Sequence, residues 1–327
     1  MRMNKRVGDK LIDAARHGRC LHASSHADQA VLSRLVRTGL VVRARQGLYA
    51  SREVWRELTP RQRYVWVIRG LHVWHPDWVF AGLSVIALHG IEYPLWLDER
   101  QTVFLASVRA VGVARKSTTR YIHVEQYREL CGQGRCMTSV ARALLDCAAS
   151  FEFREVLPMV DSALRKRLVT RQELANVPGL SSPLKAKVGF LLRYADPGSE
   201  NGGESLCRAT IIEEGFPPPK LQQEFRMRDG RKYRVDGLYR LADGSMVVVE
   251  YDGMGKYVDD AMTGGRSVRQ VVHAEKRREQ DLLDSGVTRI VRFDYRDVLR
   301  RDPVVRKLLE AGVPRIARIQ WPFSVQR

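Results

Sequence analysis

The chain has 327 residues, of which 44% are hydrophobic, and it carries a formal net charge of +18 at pH 7. This length suits two or three domains with ordinary cores, and no apolar run is long enough to predict a membrane-spanning helix. The charged N-terminal sequence lacks a secretory apolar segment and the 5 cysteines are scattered, which favours free thiols, so we expect a cytoplasmic protein.

The first predicted elements are two helices followed by a basic hairpin. Apolar residues at helical spacing predict helices over residues 10–18 and 27–39, each ended by a glycine. Residues 40–50 predict two short strands around a turn at Gln46 and Gly47. This order of elements is typical of a winged helix, in which the second helix enters a DNA groove and the hairpin contacts the backbone.

Basic residues are concentrated near the start of the chain. Residues 1–70 hold 15 Lys plus Arg against 5 Asp plus Glu, a difference of +10. A polyanion partner or a solvated basic face would each account for this excess, and the pI of about 10.1 favours the polyanion. We therefore predict that residues 1–54 form a winged-helix DNA-binding module, with a small dimerisation or docking module as the alternative. The predicted DNA contacts are Arg34 and Arg37 on the helix and Arg43 and Arg45 on the hairpin.

Residues 55–196 predict a middle domain of mixed helices and strands. Its periodic segments contain no cluster of potential catalytic groups, because each histidine there is separated in the sequence from other candidate catalytic residues. The predicted helices cover residues 59–75, 80–90, 138–151, 152–168 and 182–195, and the predicted strands cover residues 101–107 and 119–125.

A Gly-, Pro- and Ser-rich stretch at residues 196–204 predicts a linker to a third domain, residues 197–327. After this stretch the predicted order is one helix, three strands, a long helix, a fourth strand and a last helix. This αβββαβ order predicts a small mixed sheet flanked by helices. We therefore expect the whole chain to be an α/β protein of the α+β type.

Two acids at the end of an apolar strand point to a functional site. Val247–Val249 predict a buried strand, and Glu250 and Asp252 follow on one face of it. A three-residue hairpin loop ending at Gly244 would place Asp236 directly opposite Glu250, so that three carboxylates share a face. A two-residue turn would shift the register by one residue and place Asp236 on the other face.

Three carboxylates this close together need a counter-charge. Mg²⁺, which binds oxygen ligands and keeps several waters, would supply that charge and would activate water for attack on a phosphate. The alternative from the residues alone is ion pairing of the acids with Arg234, Arg277 and Arg278.

The segments "GGE", "VDG" and "VVVEYDG" resemble the core of the PD-(D/E)XK nucleases, in particular the Vsr-like (very-short-patch-repair-like) endonucleases. In that family an acid on the first helix, an Asp on the second strand and a Glu on the third strand bind the metal. The resemblance implies that Glu204, Asp236 and Glu250 are catalytic metal ligands, with Asp252 of the "EYDG" segment as a further one. It also implies Mg²⁺ or Mn²⁺ as the cofactor.

One position departs from the signature of that family. Asp252 stands where the PD-(D/E)XK signature has the lysine that positions the attacking water. Lys256, four residues further on, is the candidate replacement, and a phosphate contact or an ordinary surface position are its alternatives. Arg278, which matches the arginine of the family's downstream helix, is predicted to neutralise a phosphate or to orient an acid.

The upstream sequence resembles AbiEi-like proteins of abortive-infection toxin–antitoxin systems. The segment "RQGLYA" is similar to their hairpin, "LSVIALHGI" to a central motif, and "VARALLDCA" to a later helix. This second resemblance implies a DNA-binding region, and it adds a cognate toxin protein to the possible partners.

Together these features predict a Mg-dependent DNA endonuclease or nickase with an AbiEi-like DNA-binding region. The alternative is a non-catalytic antitoxin-like transcriptional repressor of a toxin–antitoxin or phage-defence system, which keeps a degenerate nuclease fold. A module that neutralises a toxin by protein–protein contact is a third hypothesis. The first predicts metal-dependent cleavage, and the second predicts salt-sensitive promoter binding without cleavage.

Overall fold

The computed structural model shows mixed helices and strands that divide into two compact units, Met1–Ser150 and Phe151–Arg327. This mixture confirms the predicted α+β class. Among the described residues, no helix is both long and apolar enough to cross a membrane. The structure describes residues 5–99, 101–109, 118–124, 136–253, 268–318 and 321–322.

The first unit combines helices with two small sheets. Its described elements are α1 (Lys5–Arg16), β1 (Leu21–His22), α2 (His26–Arg37), β2 (Val41–Arg45), β3 (Leu48–Ser51), α3 (Arg52–Glu57), α4 (Pro60–Trp74), α5 (Gly82–Leu88), α6 (Trp96–Glu99), β4 (Val103–Ser107), β5 (Thr119–His123) and α7 (Val140–Ser150). One sheet has the antiparallel strand order β1-β3-β2, and the other pairs β4 with β5 in parallel.

The two helices and the hairpin predicted at the start of the chain are present as α1, α2 and β2–β3. Leu11 of α1 lies in one hydrophobic cluster with Leu32 and Leu35 of α2. Helix α2 begins at Ser25, whose side chain accepts a hydrogen bond from the backbone of Asp28 at 3.1 Å. Between the two helices the chain forms β1, which extends the hairpin into a three-stranded sheet.

The second unit packs helices against a four-stranded sheet. Its described elements are α8 (Phe153–Arg165), α9 (Arg171–Ala175), α10 (Ser182–Tyr194), α11 (Gly202–Glu213), β6 (Lys220–Arg226), β7 (Lys232–Arg240), β8 (Met246–Asp252), α12 (Val268–Asp284), β9 (Val287–Asp294), α13 (Tyr295–Arg300) and α14 (Asp302–Glu310). The strand order is β6-β7-β8-β9, in which the first two pairs are antiparallel and the last is parallel. The predicted αβββαβ order is therefore present from α11 to β9.

The division of the chain differs from the three predicted domains, which were residues 1–54, 55–196 and 197–327. Helix α8 follows the boundary and packs along α11, so it belongs with the C-terminal sheet. The Gly- and Pro-rich stretch is also held to α8, since Asp196 donates its backbone N–H to Asp161 at 2.8 Å. That stretch is therefore a connection inside one unit and does not separate two.

The hairpin between β7 and β8 has the three-residue loop on which the predicted site depends. Leu241 donates its backbone N–H to the Ser245 carbonyl at 2.9 Å, which closes the loop. Gly244 has a φ of 86°, a left-handed conformation that glycine adopts without steric cost. The strands pair as far as Gly237 opposite Val249. The predicted register is therefore confirmed.

Candidate functional site

The first turn of α11 holds Glu204 in a fixed orientation. Asn201 caps the helix, and its side-chain oxygen accepts from the backbone of Gly203 and Glu204 at 2.9 and 3.0 Å. The Glu204 carboxylate accepts in turn from the Glu200 backbone and the Asn201 amide, both at 2.7 Å, and from the Gln222 amide at 3.3 Å. All three of these donors are neutral N–H groups, so they orient the carboxylate without neutralising it.

Asp236 lies beside Glu204 at the point where β7 separates from β8. The backbone ladder ends at Gly237 and Val249, and beyond it the Asp236 side chain accepts from the backbone N–H of Tyr251 at 2.9 Å. Asp236 and Glu204 both line a cavity of about 20 Å³ between α11 and the sheet. A cavity of this size accommodates about one water molecule.

The surroundings of this cavity change the protonation of Glu204. Burial raises the pKa of the Glu204 carboxyl to about 7. The hydrogen bond from the Glu200 backbone opposes this rise, and the charge of Asp236 adds to it. The carboxyl is therefore poised between its protonated and ionised forms near neutral pH, which makes it responsive to any cation that enters the cavity.

The raised pKa gives a prediction for stability. The folded chain holds the Glu204 proton more tightly than the unfolded chain, so this group makes the fold less stable as pH rises from about 4.5 to about 7. Replacement by glutamine removes the charge, so Glu204→Gln should raise the melting temperature of metal-free protein, and more at pH 8 than at pH 5. Thermal melts at the two pH values check this, with the exposed Glu310→Gln as the control. A decrease at pH 8 would contradict it.

Glu250 lies on the other side of β8, against α12. Val249 and Tyr251 line the cavity, and successive side chains on a strand point to opposite faces. The Glu250 carboxylate is instead bound by Arg278 of α12 and, at 3.3 Å, by Arg292 of β9. The predicted meeting of Asp236 and Glu250 on one face is therefore not found, although the register itself is correct.

The reason lies in where the backbone pairing ends. The ladder stops before Asp236, whose carboxylate turns to the Tyr251 N–H in place of a backbone partner. Glu250 is 7% exposed, and a carboxylate buried to this extent needs charged or hydrogen-bonding partners. Two guanidinium groups supply them, which is the ion-pair alternative predicted from the sequence for Arg278.

The other predicted site residues are placed as follows. Asp252 ends β8, is half-buried, and lies in register with Asp294 of β9. Arg278 forms an ion pair with Glu250, and it also contacts Glu275 at 3.4 Å. Lys256 lies outside the described residues.

The donor set suits a cation that binds few protein ligands. Within the described ranges, no three His, Cys, Asp or Glu side chains are gathered closely enough to hold a metal ion. Glu204 and Asp236 nevertheless share one cavity, and Mg²⁺ is commonly held by one or two carboxylates together with water and substrate phosphate. The two carboxylates therefore fit Mg²⁺ or Mn²⁺ better than a metal that needs a full protein cage.

The predicted DNA contacts divide into two kinds. Arg34, Arg37 and Arg43 are exposed on α2 and β2. Arg45 is not available in the same way, because its guanidinium donates to the Thr119 hydroxyl at 2.8 Å. It also donates to the Thr118 and Gln101 carbonyls at 3.2 and 3.4 Å. Arg45 therefore joins the hairpin to the rest of its own unit.

Several residues of the site were not predicted. One of them is Arg292 of β9, which contacts Glu250, Glu275 and Glu279. Asn201 stands three residues before Glu204, and an N-cap residue at this spacing from a glutamate is a recognisable capping signal. Gln222 reaches Glu204 from a left-handed backbone position with φ of 50°, for which the sequence gives no signal.

Comparison with known proteins identifies relatives without an assigned function. No family model matches the chain, and no solved structure matches it. Uncharacterized proteins from two strains of Mycobacterium tuberculosis are 27% identical to it over 204 residues. The match covers 62% of this chain and 70% of each relative. The similarity to these relatives therefore assigns no activity to this chain, and the geometry of the site is the basis for a functional proposal.

Proposed function

We propose that the protein is a divalent-cation-dependent DNA endonuclease or nickase of the cytoplasm. The observation that carries this proposal is the pair Glu204 and Asp236, which share a cavity of about 20 Å³. Burial raises the pKa of Glu204, and the charge of the neighbouring Asp236 adds to that rise, so a cation bound between the two carboxylates would favour the ionised form of Glu204. Such pairs at strand and helix ends are suited to Mg²⁺ or Mn²⁺.

The order of elements supports the two modules of this proposal. An α11-β6-β7-β8-α12-β9 order, with an antiparallel hairpin followed by a parallel strand, is compatible with a PD-(D/E)XK domain. In the first unit, α1 and α2 followed by a hairpin in a β1-β3-β2 sheet are compatible with a winged helix. Exposed Arg34, Arg37 and Arg43 are then the residues that would contact DNA phosphates.

The residues of the chain prepare the cavity for this chemistry. Glu204 and Asp236 would hold the cation, which when bound supplies a water of lowered pKa and stabilises charge on a phosphate. The Asn201 amide and the Glu200 backbone N–H keep Glu204 turned toward the cavity. The Tyr251 N–H keeps Asp236 there in the same way. Both acids are therefore positioned before any cation arrives, which lowers the cost of binding one.

The proposal is tested by cleavage and by metal binding. Purified protein should nick supercoiled plasmid with Mg²⁺ or Mn²⁺ and should not do so in EDTA. Independently of cleavage, Mg²⁺ should raise the melting temperature more at pH 8 than at pH 5, because protons compete with the cation for Glu204. No nicking with either metal, together with no metal-dependent stabilisation, would overturn the proposal.

A second candidate function is a non-catalytic DNA-binding repressor, with a cognate toxin as a further partner. The observation that favours it is that Glu250, one of the acids of the nuclease motif, forms ion pairs with Arg278 and Arg292 and is therefore already neutralised by protein groups. This candidate predicts binding to its own promoter that weakens steeply with salt, and no cleavage with any metal. A gel-shift titration in rising salt, run beside the nicking assay, separates the two functions.

A further inference from the structure

A break in the regular backbone of β6 lies beside the acid pair. Gln222 has a φ of 50°, a left-handed conformation that is uncommon for a residue with a side chain. The ladder between β6 and β7 pairs the residues on either side of Gln222 and skips Gln222 itself. The register puts Gln222 opposite Asp236, which is one of the two acids of the cavity. Both strands are therefore irregular at the same point, next to the candidate site.

The left-handed conformation changes the direction of the Gln222 side chain. Leu221 lines the cavity, and successive side chains on a regular strand point to opposite faces, so Gln222 would be expected to point away. Instead its Nε2 atom donates to Oε2 of Glu204 at 3.3 Å. Left-handed backbone at a non-glycine residue costs free energy, and residues held in this way are concentrated at functional sites. The strained position is therefore the one that brings a third donor to Glu204.

The three donors leave Glu204 one position for a further ligand. Oε2 accepts from the Glu200 backbone N–H at 2.7 Å and from Gln222, while Oε1 accepts from the Asn201 amide at 2.7 Å. An ionised carboxylate has about four lone-pair positions, two on each oxygen. Among the described residues, the donors thus fill both positions on Oε2 and one on Oε1. A cation that enters the cavity would meet one open oxygen of Glu204, and Gln222 is what closes the other.

We propose that Gln222 is a positioning residue that limits Glu204 to coordination through one oxygen, so that the site selects Mg²⁺ or Mn²⁺ over Ca²⁺. Mg²⁺ takes an octahedral set of ligands, keeps several waters and binds one or two carboxylates. Ca²⁺ takes about six to eight oxygens and commonly binds both oxygens of a carboxylate. This inference rests on the proposed function for the presence of a cation at Glu204 and Asp236, and it adds which ions the site accepts.

The test measures metal binding without DNA, so that it requires no cleavage. Free Mn²⁺ is followed by its electron paramagnetic resonance signal at pH 8, and Mg²⁺ and Ca²⁺ are added as competitors. The pKa of Glu204 is raised to about 7, so most of this carboxyl is ionised under these conditions. Wild-type protein should bind Mg²⁺ more tightly than Ca²⁺. Equal or tighter binding of Ca²⁺ would overturn the inference.

Variants of Gln222 then assign the preference to its amide. Gln222→Met keeps the length of the side chain and removes the N–H donor. It should weaken Mg²⁺ binding on the order of 10-fold, as loss of a partner of a metal ligand commonly does. It should leave Ca²⁺ binding at least as tight, because Oε2 of Glu204 becomes open. Gln222→Asn suits the left-handed backbone better but is too short to reach Glu204, so it should show the same change even if the first variant fails to fold.

Gln223→Met is the matched control, since the Gln223 amide donates to the Leu221 carbonyl at 2.8 Å within the same strand. This variant should keep the wild-type preference. If both Gln222 variants keep it as well, the inference is wrong, while the metal site and the nicking assay are unaffected. No Mn²⁺ binding by wild-type protein would overturn the inference together with the metal-dependent function. A preference that depends on Gln222 in a protein that does not nick DNA would support the inference and count against cleavage alone.

Discussion

Replacing Asp236 by asparagine is expected to abolish metal-dependent nicking while leaving the second unit folded. Asparagine keeps the size of the side chain and an oxygen that can accept from the Tyr251 N–H at 2.9 Å. It removes one of the two carboxylates that line the cavity, and an amide oxygen binds a divalent cation more weakly than a carboxylate. Metal assistance contributes several kcal/mol to such reactions, so we expect a loss on the order of 100-fold or more.

The measurement is the initial rate of plasmid nicking in Mg²⁺ and in Mn²⁺, with the melting temperature recorded in parallel. Asp284→Asn is the matched control, because Asp284 is exposed at the end of α12, where it accepts a hydrogen bond from the Gln280 amide at 2.8 Å. That variant should nick at the wild-type rate. If Asp236→Asn nicks as fast as the control, the activity resides elsewhere in the chain or in a contaminant, and the site is wrong.

The register of the β7–β8 hairpin could be predicted from the sequence because it depends on a single glycine in the loop. A three-residue loop needs a left-handed last position, and Gly244 is the residue that adopts one at no cost. The start of α4 is predictable for a similar reason, since Thr59 and Gln62 form a reciprocal cap around Pro60. Local signals of this kind are complete within a few residues and do not depend on the tertiary fold.

The direction of Glu250 could not be predicted in the same way. The correct register placed it opposite Asp236, but the two side chains point apart because the ladder ends one residue earlier. What then decides its position is the approach of Arg278 and Arg292, which are 28 and 42 residues away in the chain. The position of Arg45 could not be predicted for the same reason. Its hydrogen-bond partner Thr119 is 74 residues away in the chain, and the bond holds the predicted DNA contact against its own unit.

The compact units of the structure divide the chain at a place other than the predicted linker for a related physical reason. Gly, Pro and Ser predict where a chain turns, but they do not indicate whether the segments on either side pack together. Here α8 packs on α11 across the stretch. A buried ion pair joins the two helices, since Arg208 donates to Asp161 at 2.5 Å. Neither residue stands out in the sequence, because charged residues on helices are usually exposed.

Breaking this ion pair is expected to cause a large loss of stability. The side chains of Asp161 and Arg208 are 0% and 4% exposed, and Asp161 also accepts from the Asp196 backbone. Asp161→Ala would leave a buried guanidinium without its counter-charge, which costs about 3–5 kcal/mol in the free energy of unfolding. Urea titration followed by circular dichroism measures this loss, and Glu310→Ala, at an exposed pair of 68% and 58%, should change stability by less than about 0.5 kcal/mol.

A double variant shows whether the loss comes from the unpaired charge or from the missing side chain. Burial raises the pKa of Asp161, and the neighbouring Arg208 opposes that rise without cancelling it, so the ionised pair is not fully compensated for its loss of water. Replacing both partners by apolar residues of similar size, as in Asp161→Leu with Arg208→Met, should therefore recover most of the stability that Asp161→Ala loses. If the double variant is as unstable as the single one, the hydrogen bonds from Asp196 to Asp161 and from Arg208 to the Tyr194 carbonyl hold α8 and α11 together more than the charge pair does.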